Sequence, residues 1–285
     1  MKLALILTIY KRHDLEKLVI ERFKEQSKKY GFEIIIAGSE GEVSQSLANG
    51  CNYIEIENNP VSRKHNATLE VAEHLEVDGV VLMGSDDFVN DEFWDFIYKQ
   101  SPQEKCLVGF RDLYFYSTET KELGYYEGWG NNAQSIGAGR FFSRYVLDLM
   151  NWKLWSDDKD KALDTDSGKR LQKKGVGNKN YKMSDVDAFI LDVKHTRSIT
   201  SNSILGGCKQ ENIDIMAKKL NKQVAESIEN LSNEVVKQQE IKIEVQSNGL
   251  VKIKGTGKFL DMPIDSEHEV TEEMAKILIG KGFAK

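Results

Sequence analysis

The sequence predicts an α/β protein with a mixed, mostly parallel sheet flanked by helices, followed by a small α+β appendage. Three observations predict it. Short, mainly apolar runs recur at residues 3–9 (LALILTI), 32–38 (FEIIIAG) and 79–83 (GVVLM), as expected of strands buried on both faces. Segments with apolar residues at helical spacing separate these runs, the pattern of right-handed βαβ units. Beyond about residue 205 the chain becomes polar and helical, then alternates in short strand-like stretches.

Taken in order, the first strand at residues 3–9 leads into LEKLVIERFKEQSKKYG, a helix closed by Gly31. FEIIIAGSE is the second strand, EVSQSLANG a short helix and CNYIEIEN a third strand. Pro60 opens a further helix through Ala67, Val71, Ala72 and Leu75, and residues 80–83 form the next strand. CLVGFRDLYFYSTETKELGYYEGWG is aromatic and alternating, which predicts strands added antiparallel to the sheet. SIGAGRFFSRYVLDLMNW runs from a strand end into a helix, residues 164–174 form another helix, and AFILDVKH is a last strand. The expected domains are 1–205, a helical linker 206–240 with a narrow apolar stripe, and a C-terminal module 241–285. That module is expected to hold a hairpin around Ser247-Asn248-Gly249 and a short helix capped by Thr271.

The 285 residues carry a formal net charge of −6, which argues against a general nucleic-acid binder. No apolar run approaches the length needed to span a bilayer. The opening MKLALILTIYKRHD reads as a strand rather than a signal peptide, because no small-residue cleavage site follows. Cys51, Cys106 and Cys208 show neither paired nor metal-type spacing, which fits a reducing cytoplasm.

The chemistry concentrates at residues 79–95, GVVLMGSDDFVNDEFWD. There Asp86 and Asp87 follow the turn Gly84-Ser85 at a strand end, the edge of an α/β sheet where ligands bind. Adjacent carboxylates repel unless positive charge sits beside them, and a hard divalent cation carrying a phosphate meets that need. The alternative is that the pair caps the helix that follows.

The order of these pieces resembles the inverting, nucleotide-sugar-dependent glycosyltransferases of the GT-A fold, especially family 2, over residues 1–203. LILTIYKR is similar to the family's first strand, which implies Thr8, Tyr10 and Arg12 at the base and ribose of the donor. IIIAGSE stands where the family has an acid on the base, here reduced to Gly38-Ser39-Glu40, which assigns Ser39 and Glu40 to the donor. NNPVSRKHNATLEVA resembles a helix start that offers Arg63 and Asn66. Gly84-Ser85-Asp86 aligns with the DxD motif without its first Asp, so Ser85 and Asp86 face the donor, with Asp86 and Asp87 on the metal. GAGRFFSR resembles the acceptor side, implying Gly137, Ala138 and Gly139 there, with Trp129 and Asp166 nearby. LDTDSGKRLQKKG resembles the ED-x-D-x-x-x-R-L helix, with Asp164 as catalytic base and Leu163 in place of the Glu. DVKHTRSITS is similar to a late loop whose His, here His195, ligates the metal.

The resemblance implies Mn2+ or Mg2+, a nucleotide-sugar donor with a UDP-sugar as first choice, and an acceptor the sequence does not specify. Competing readings stay open. Asp164 is also placed to cap a helix, with Asp157, Asp158, Asp160 and Asp166 as other candidate bases. His195 and Arg63 also read as surface charges, Tyr10 as a core aromatic, and Trp129 as plain packing. Lys169, Arg170, Lys173 and Lys174 read as a solvated face. A degenerate nucleotide-sugar-binding or structural module is the alternative function. A nucleotidyltransferase would want a glycine-rich loop after the first strand, and YKRHDLEK has none. EEMAKILIGKGFAK resembles small modules of bacteriophage structural proteins, which suggests a host-cytoplasmic, phage-encoded protein with a protein partner or self-association through residues 210–285.

Overall fold

The computed structural model describes residues 1–128, 135–194, 202–239, 250–254 and 267–271. Its first elements are β1 (Leu3–Thr8), α1 (His13–Tyr30), β2 (Glu33–Gly38), α2 (Glu42–Leu47), β3 (Asn52–Glu55) and α3 (Val61–His74). Next come β4 (Gly79–Leu82), β5 (Asp87–Val89), α4 (Asp91–Ile97), β6 (Cys106–Phe110), β7 (Leu113–Ser117) and β8 (Leu123–Tyr126). Then follow β9 (Arg140–Ser143), α5 (Arg144–Leu149), α6 (Leu163–Lys173), β10 (Gly177–Tyr181), β11 (Ile190–Lys194) and β12 (Lys209–Glu211). The last are α7 (Asp214–Leu220), α8 (Lys222–Gln239), β13 (Leu250–Lys254) and β14 (Glu267–Thr271).

Seven strands form a mixed sheet in the order β10-β6-β9-β4-β1-β2-β3. β1 pairs in parallel with β2 and β4, β2 with β3, and β10 with β6, while β9 runs antiparallel to β4 and β6. The expected α/β architecture is therefore present, a mainly parallel sheet flanked by helices. Its apolar strands are buried on both faces because alternate side chains enter different layers. Leu3, Leu5 and Leu7 of β1 join Leu15, Val19 and Phe23 of α1 in one core, whereas Ala4 and Ile6 join Leu69 and Ala72 of α3 and Val146 and Leu147 of α5 in the other. Each fully buried Leu or Phe contributes roughly 1.5–3 kcal/mol, so these two layers dominate the stability of the fold. Gly31 closes α1 in the left-handed region at φ 78°, its N–H donating to Ser27 O at 2.7 Å.

The aromatic stretch after α4 builds a second sheet, β12-β8-β7-β11-β5. Of the strands expected to add antiparallel to the first sheet, β6 does so beside β9, whereas β7 and β8 pair antiparallel with each other and β7 joins β11 in parallel. β5 supplies the far edge of this sheet, so the chain leaves the first sheet at Leu82 and enters the second at Asp87.

Residues 1–233 form one compact unit and residues 234–285 another. The segment expected as a linker, 206–240, thus belongs largely to the first unit. Met216, Leu220, Ala225, Ile228 and Leu231 are buried in the same core as α1, which is where the narrow apolar stripe goes. In the second unit β13 pairs antiparallel with β14, Leu250 opposite Thr271. The turn expected at Ser247-Asn248-Gly249 lies outside the described residues. Thr271, expected to cap a final helix, ends β14, and the remainder of that segment also lies outside the described residues. Among the described residues no helix is long and apolar enough to cross a membrane.

Candidate active site

The crossing from β4 to β5 is made by the turn at residues 83–86, and this turn carries the acid pair. Gly84 N–H donates to Asp87 Oδ2 at 2.5 Å, which folds the Asp87 carboxylate back beneath the turn. A Cβ on Gly84 would lie 2.6 Å from Asp86 Oδ1 and 2.9 Å from Asp87 Oδ2. Glycine stands where the resembled motif carries an acid because these two carboxylates already occupy the space. Neither acid caps the next helix: Asn90 does so, its side chain accepting the Phe93 N–H at 3.2 Å.

Asp86 pairs with Arg12, whose second guanidinium nitrogen donates to Ser85 Oγ at 2.8 Å. A third acid enters from β11, where Asp192 lies opposite Asp87 in the antiparallel register. Lys194, two residues along and hence on the same face of the strand, donates to Asp192 Oδ2 at 2.6 Å. Carboxylate oxygens of Asp86, Asp87 and Asp192 come within 4.8 Å of one another. Among the described residues the buried Asp192 Oδ1 has no hydrogen-bond partner.

The electrostatics record the crowding. Burial first, then the charges of Asp192 and Asp86, raise the Asp87 carboxyl well above the usual carboxylate range. Asp192 is pushed up to about 7, by burial and by Asp86. Burial works against the Lys194 ammonium, yet Asp192, Asp86 and Asp87 outweigh it and raise its pKa. Arg12 and Lys194 thus leave Asp87 and Asp192 under-compensated. A convergent set of hard oxygens with an orphaned buried oxygen fits a divalent cation such as Mn2+ or Mg2+.

A cavity of about 390 Å3 lies over this cluster and also reaches Thr8, Arg12, Lys194, Gly137, Ala138 and Asp164. Asp164 sits in the first turn of α6, whose N-cap is Ala162, so Asp164 is not the cap. Its carboxylate is about half exposed and lies 3.4 Å from the guanidinium of Arg140, a side chain with no exposure at all. Arg140 is fixed by Ile136 O at 2.8 Å, Ser135 O at 2.7 Å and Ser167 Oγ at 3.1 Å. A Cβ on Gly137 would stand 2.9 Å from either Asp164 oxygen, so that glycine leaves the carboxylate its place.

Other expected site residues lie elsewhere. Asp166 accepts Ser156 N–H at 2.7 Å and Ser156 Oγ–H at 3.1 Å, and Arg170 donates to Leu154 O and Lys153 O, so both fasten the loop before α6. Asn66 is buried and clamps Trp155, donating to its carbonyl at 2.9 Å and accepting its N–H at 3.2 Å. Arg63 is exposed and does not line the cavity. Gly139 lies beside the cavity rather than in its wall, at φ 76°, with its N–H on Leu82 O at 2.9 Å.

At the ends of β1 and β2, Glu40 accepts Lys11 N–H at 2.8 Å and pairs with His13 Nε2 at 2.9 Å. Ser39 accepts from Lys64 Nζ at 2.9 Å, and Tyr10 is 38% exposed with the ammonium groups of Lys11 and Lys64 over its ring. His195 and Trp129 lie outside the described residues. Sequence reasoning missed Asp192, Lys194 and Arg140. An acid and a lysine two apart inside the apolar run FILDVK share one strand face, and that was the available signal for Asp192.

No family model matches the sequence, and no curated protein matches it. Solved structures with some likeness include a mannosyltransferase from Pyrobaculum calidifontis in complex with GDP-Man and Mn2+, at 13% identity and TM-score 0.46, over 69% of this chain and 58% of that one. Another is a Drosophila β-1,4-galactosyltransferase 7 variant with manganese, UDP-Gal and xylobiose, at 12% identity and TM-score 0.43, over 74% of this chain and 81% of that one. A third is the inositol-1-phosphate CTP transferase from T. maritima, at 14% identity and TM-score 0.45, over 80% of this chain and 96% of that one. The chain thus spans under two thirds of the mannosyltransferase, and the function below rests on its own residues.

Proposed function

We propose that this chain transfers a glycosyl group, with inversion, from a nucleotide-diphosphate sugar to an acceptor hydroxyl. One observation carries the reading: a single cavity joins the carboxylate cluster, with Arg12 and Lys194, to a separate carboxylate on a different element, Asp164. The first arrangement suits a metal-bound diphosphate and the second suits a base.

Asp86, Asp87 and Asp192 would hold the cation, and His195 remains a proposed additional ligand. When bound, a divalent cation supplies Lewis-acid charge to the leaving diphosphate. Arg12 and Lys194 add positive charge at the same wall. Asp164 accepts the proton of the acceptor hydroxyl as its oxygen bonds to the anomeric carbon. The bond from that carbon to the diphosphate oxygen breaks, and the nucleoside diphosphate leaves with the electron pair. Gly137 and Arg140 keep the Asp164 carboxylate at the cavity wall while this happens. Thr8, Tyr10, Ser39 and Glu40, at the ends of β1 and β2, are the proposed nucleoside side.

The test is nucleotide release from UDP-, GDP-, CMP- and TDP-sugars with and without Mn2+ or Mg2+. Release that needs metal, with Asp164→Asn retaining donor binding but losing about a hundredfold or more in turnover, supports the reading. It fails if no nucleotide-sugar binds under any condition, or if the chain instead releases pyrophosphate from nucleoside triphosphates.

A further inference from the structure

The first turn of α1 and the loop after β2 bring together a second group of metal-type side chains, distinct from the aspartate cluster. His13 and Glu16, three apart on α1, share one helix face, and Glu40 meets them from the end of β2. One ring nitrogen of His13 and one carboxylate oxygen each from Glu16 and Glu40 lie within 4.8 Å of one another. His13 Nε2 and Glu40 Oε2 are already 2.9 Å apart.

The backbone between β1 and α1 holds both carboxylates. Glu16 Oε1 accepts the Tyr10 N–H at 2.6 Å, and Glu40 Oε2 accepts the Lys11 N–H at 2.8 Å. Such outer contacts orient a ligating carboxylate before an ion arrives. Glu16 has no exposure, and among the described residues its Oε2 has no hydrogen-bond partner. An unmet carboxylate oxygen in the interior is costly and calls for a positive partner. Arg12 and Lys64, whose charges reach Glu16, spend their N–H groups elsewhere. Lys64 gives its ammonium to Ile9 O, Ser39 Oγ and Asn58 Oδ1, each at 2.9 Å, and Arg12 gives its guanidinium to Asp86 and Ser85.

A metal ion meets that need where a larger ligand cannot. It sits between its donor atoms rather than in an open cavity, bonded to each at about 2.0–2.2 Å, which sets them roughly 3–4 Å apart. The cluster needs only a small contraction to reach that spacing. His13, at 37% side-chain exposure, is the outermost of the three and leaves an ion a way in from solvent. The donor set also selects the metal. The aspartate cluster offers oxygen alone, which suits Mg2+ or Mn2+, whereas an imidazole beside two carboxylates suits Zn2+ and its borderline neighbours.

We propose that His13, Glu16 and Glu40 form a second metal site that prefers Zn2+ to Mg2+ and shares no ligand with Asp86, Asp87 and Asp192. It does not depend on the transferase reading. Glu40 also lies on the proposed nucleoside side, so a filled site and a nucleoside contact draw on one carboxylate.

The direct measurement titrates the full wild-type chain with Zn2+ in a large excess of Mg2+ and follows the His13 ring resonances by NMR, assigned with His13→Asn. The expected result is a shift of those resonances that saturates with Zn2+. Calorimetry on His13→Asn and Glu40→Gln is expected to show Zn2+ affinity reduced about tenfold or more. Glu16→Gln, which keeps an oxygen for the Tyr10 N–H, is expected to show the same loss. Asp192→Asn is expected to keep Zn2+ affinity within about threefold of wild type, since it removes no ligand here. If Zn2+ leaves the His13 ring unmoved without Mg2+, or the His13 and Glu40 variants bind Zn2+ as tightly as wild type, the three residues are an ion pair beside a buried acid and the proposal is wrong. If excess Mg2+ abolishes the shift, the stated preference is wrong. A failure of donor turnover leaves these results untouched, because no nucleotide is present.

Discussion

Asp192 lies directly opposite Asp87 across the antiparallel pair β11 and β5, and Asp87 is buried at 4% exposure. Like charges facing each other across strands destabilise a sheet, so this pairing persists at a cost that nearby cations reduce. Arg12 and Lys194 reduce it in part, and a divalent cation reduces it further.

Metal binding is therefore expected to stabilise the fold. Mn2+ or Mg2+ at a hundredfold excess over its dissociation constant adds about 2.7 kcal/mol, visible as a higher Tm. Asp192→Asn and Asp87→Asn are expected to lose most of that gain. Equal metal-induced shifts in wild type and both variants would remove the cluster from consideration as the cation site.

The pH dependence of the metal-free protein has a defined sign. Asp192 titrates at about 7 in the folded chain against 3.8 as an ordinary carboxyl, so the folded state holds its proton longer. Its contribution to stability is therefore present at acid pH and is lost as pH rises from about 4 towards 7. Asp87 is displaced in the same direction. The stability gap between wild type and Asp192→Asn is expected to move against wild type over that window. His65 is displaced the other way, by burial, but it is common to both proteins and cancels. Denaturant titrations from pH 4 to 8 check this, and parallel curves contradict it.

Gly84 is expected to tolerate no side chain. With Asp86 Oδ1 only 2.6 Å from where a Cβ would stand, Gly84→Ala displaces the carboxylates and is expected to weaken cation affinity by about tenfold or more. Gly84→Asp, which restores the resembled motif, is expected to do no better because it meets the same contact. Isothermal titration with Mn2+ decides, and tighter binding by Gly84→Asp is the contrary outcome.

Asn66 is expected to matter for the shape of the cavity rather than by touching the nucleotide. Asn66→Ala strands both backbone groups of Trp155 and is expected to cost about 2–3 kcal/mol of stability. UDP or GDP affinity is expected to stay within about twofold, since nothing is removed from the nucleotide side. A large loss of nucleotide affinity without a loss of stability would restore the donor contact that the sequence suggested.

The acid pair and the base candidate were legible because both depend on local cues. Asp86-Asp87 follows a strand that an apolar run announces, and Asp164 opens a helix that spacing announces. Asp192 was hard to see because a single acid in an apolar strand reads as noise until its neighbour strand is known. Asn66 was ambiguous because a polar residue near a helix start looks the same in sequence whether it faces a ligand or a backbone. The segment after residue 206 was ambiguous because a narrow apolar stripe suits a coiled coil and a docked helix equally, and Met216 and Ile228 are buried in the core.

The sequence by itself determined the alternation of strands and helices, the position of an acid pair at a strand end and the glycine stop of α1. These follow from side-chain period and backbone preference, which act over a few residues. Only the tertiary structure decided that β5 leaves the first sheet for a second. It also brought Asp192 and Lys194 beside Asp87 and set Arg140 beside Asp164. Strand register and core packing join residues far apart in the chain, and no local pattern encodes which distant partner a buried polar group meets.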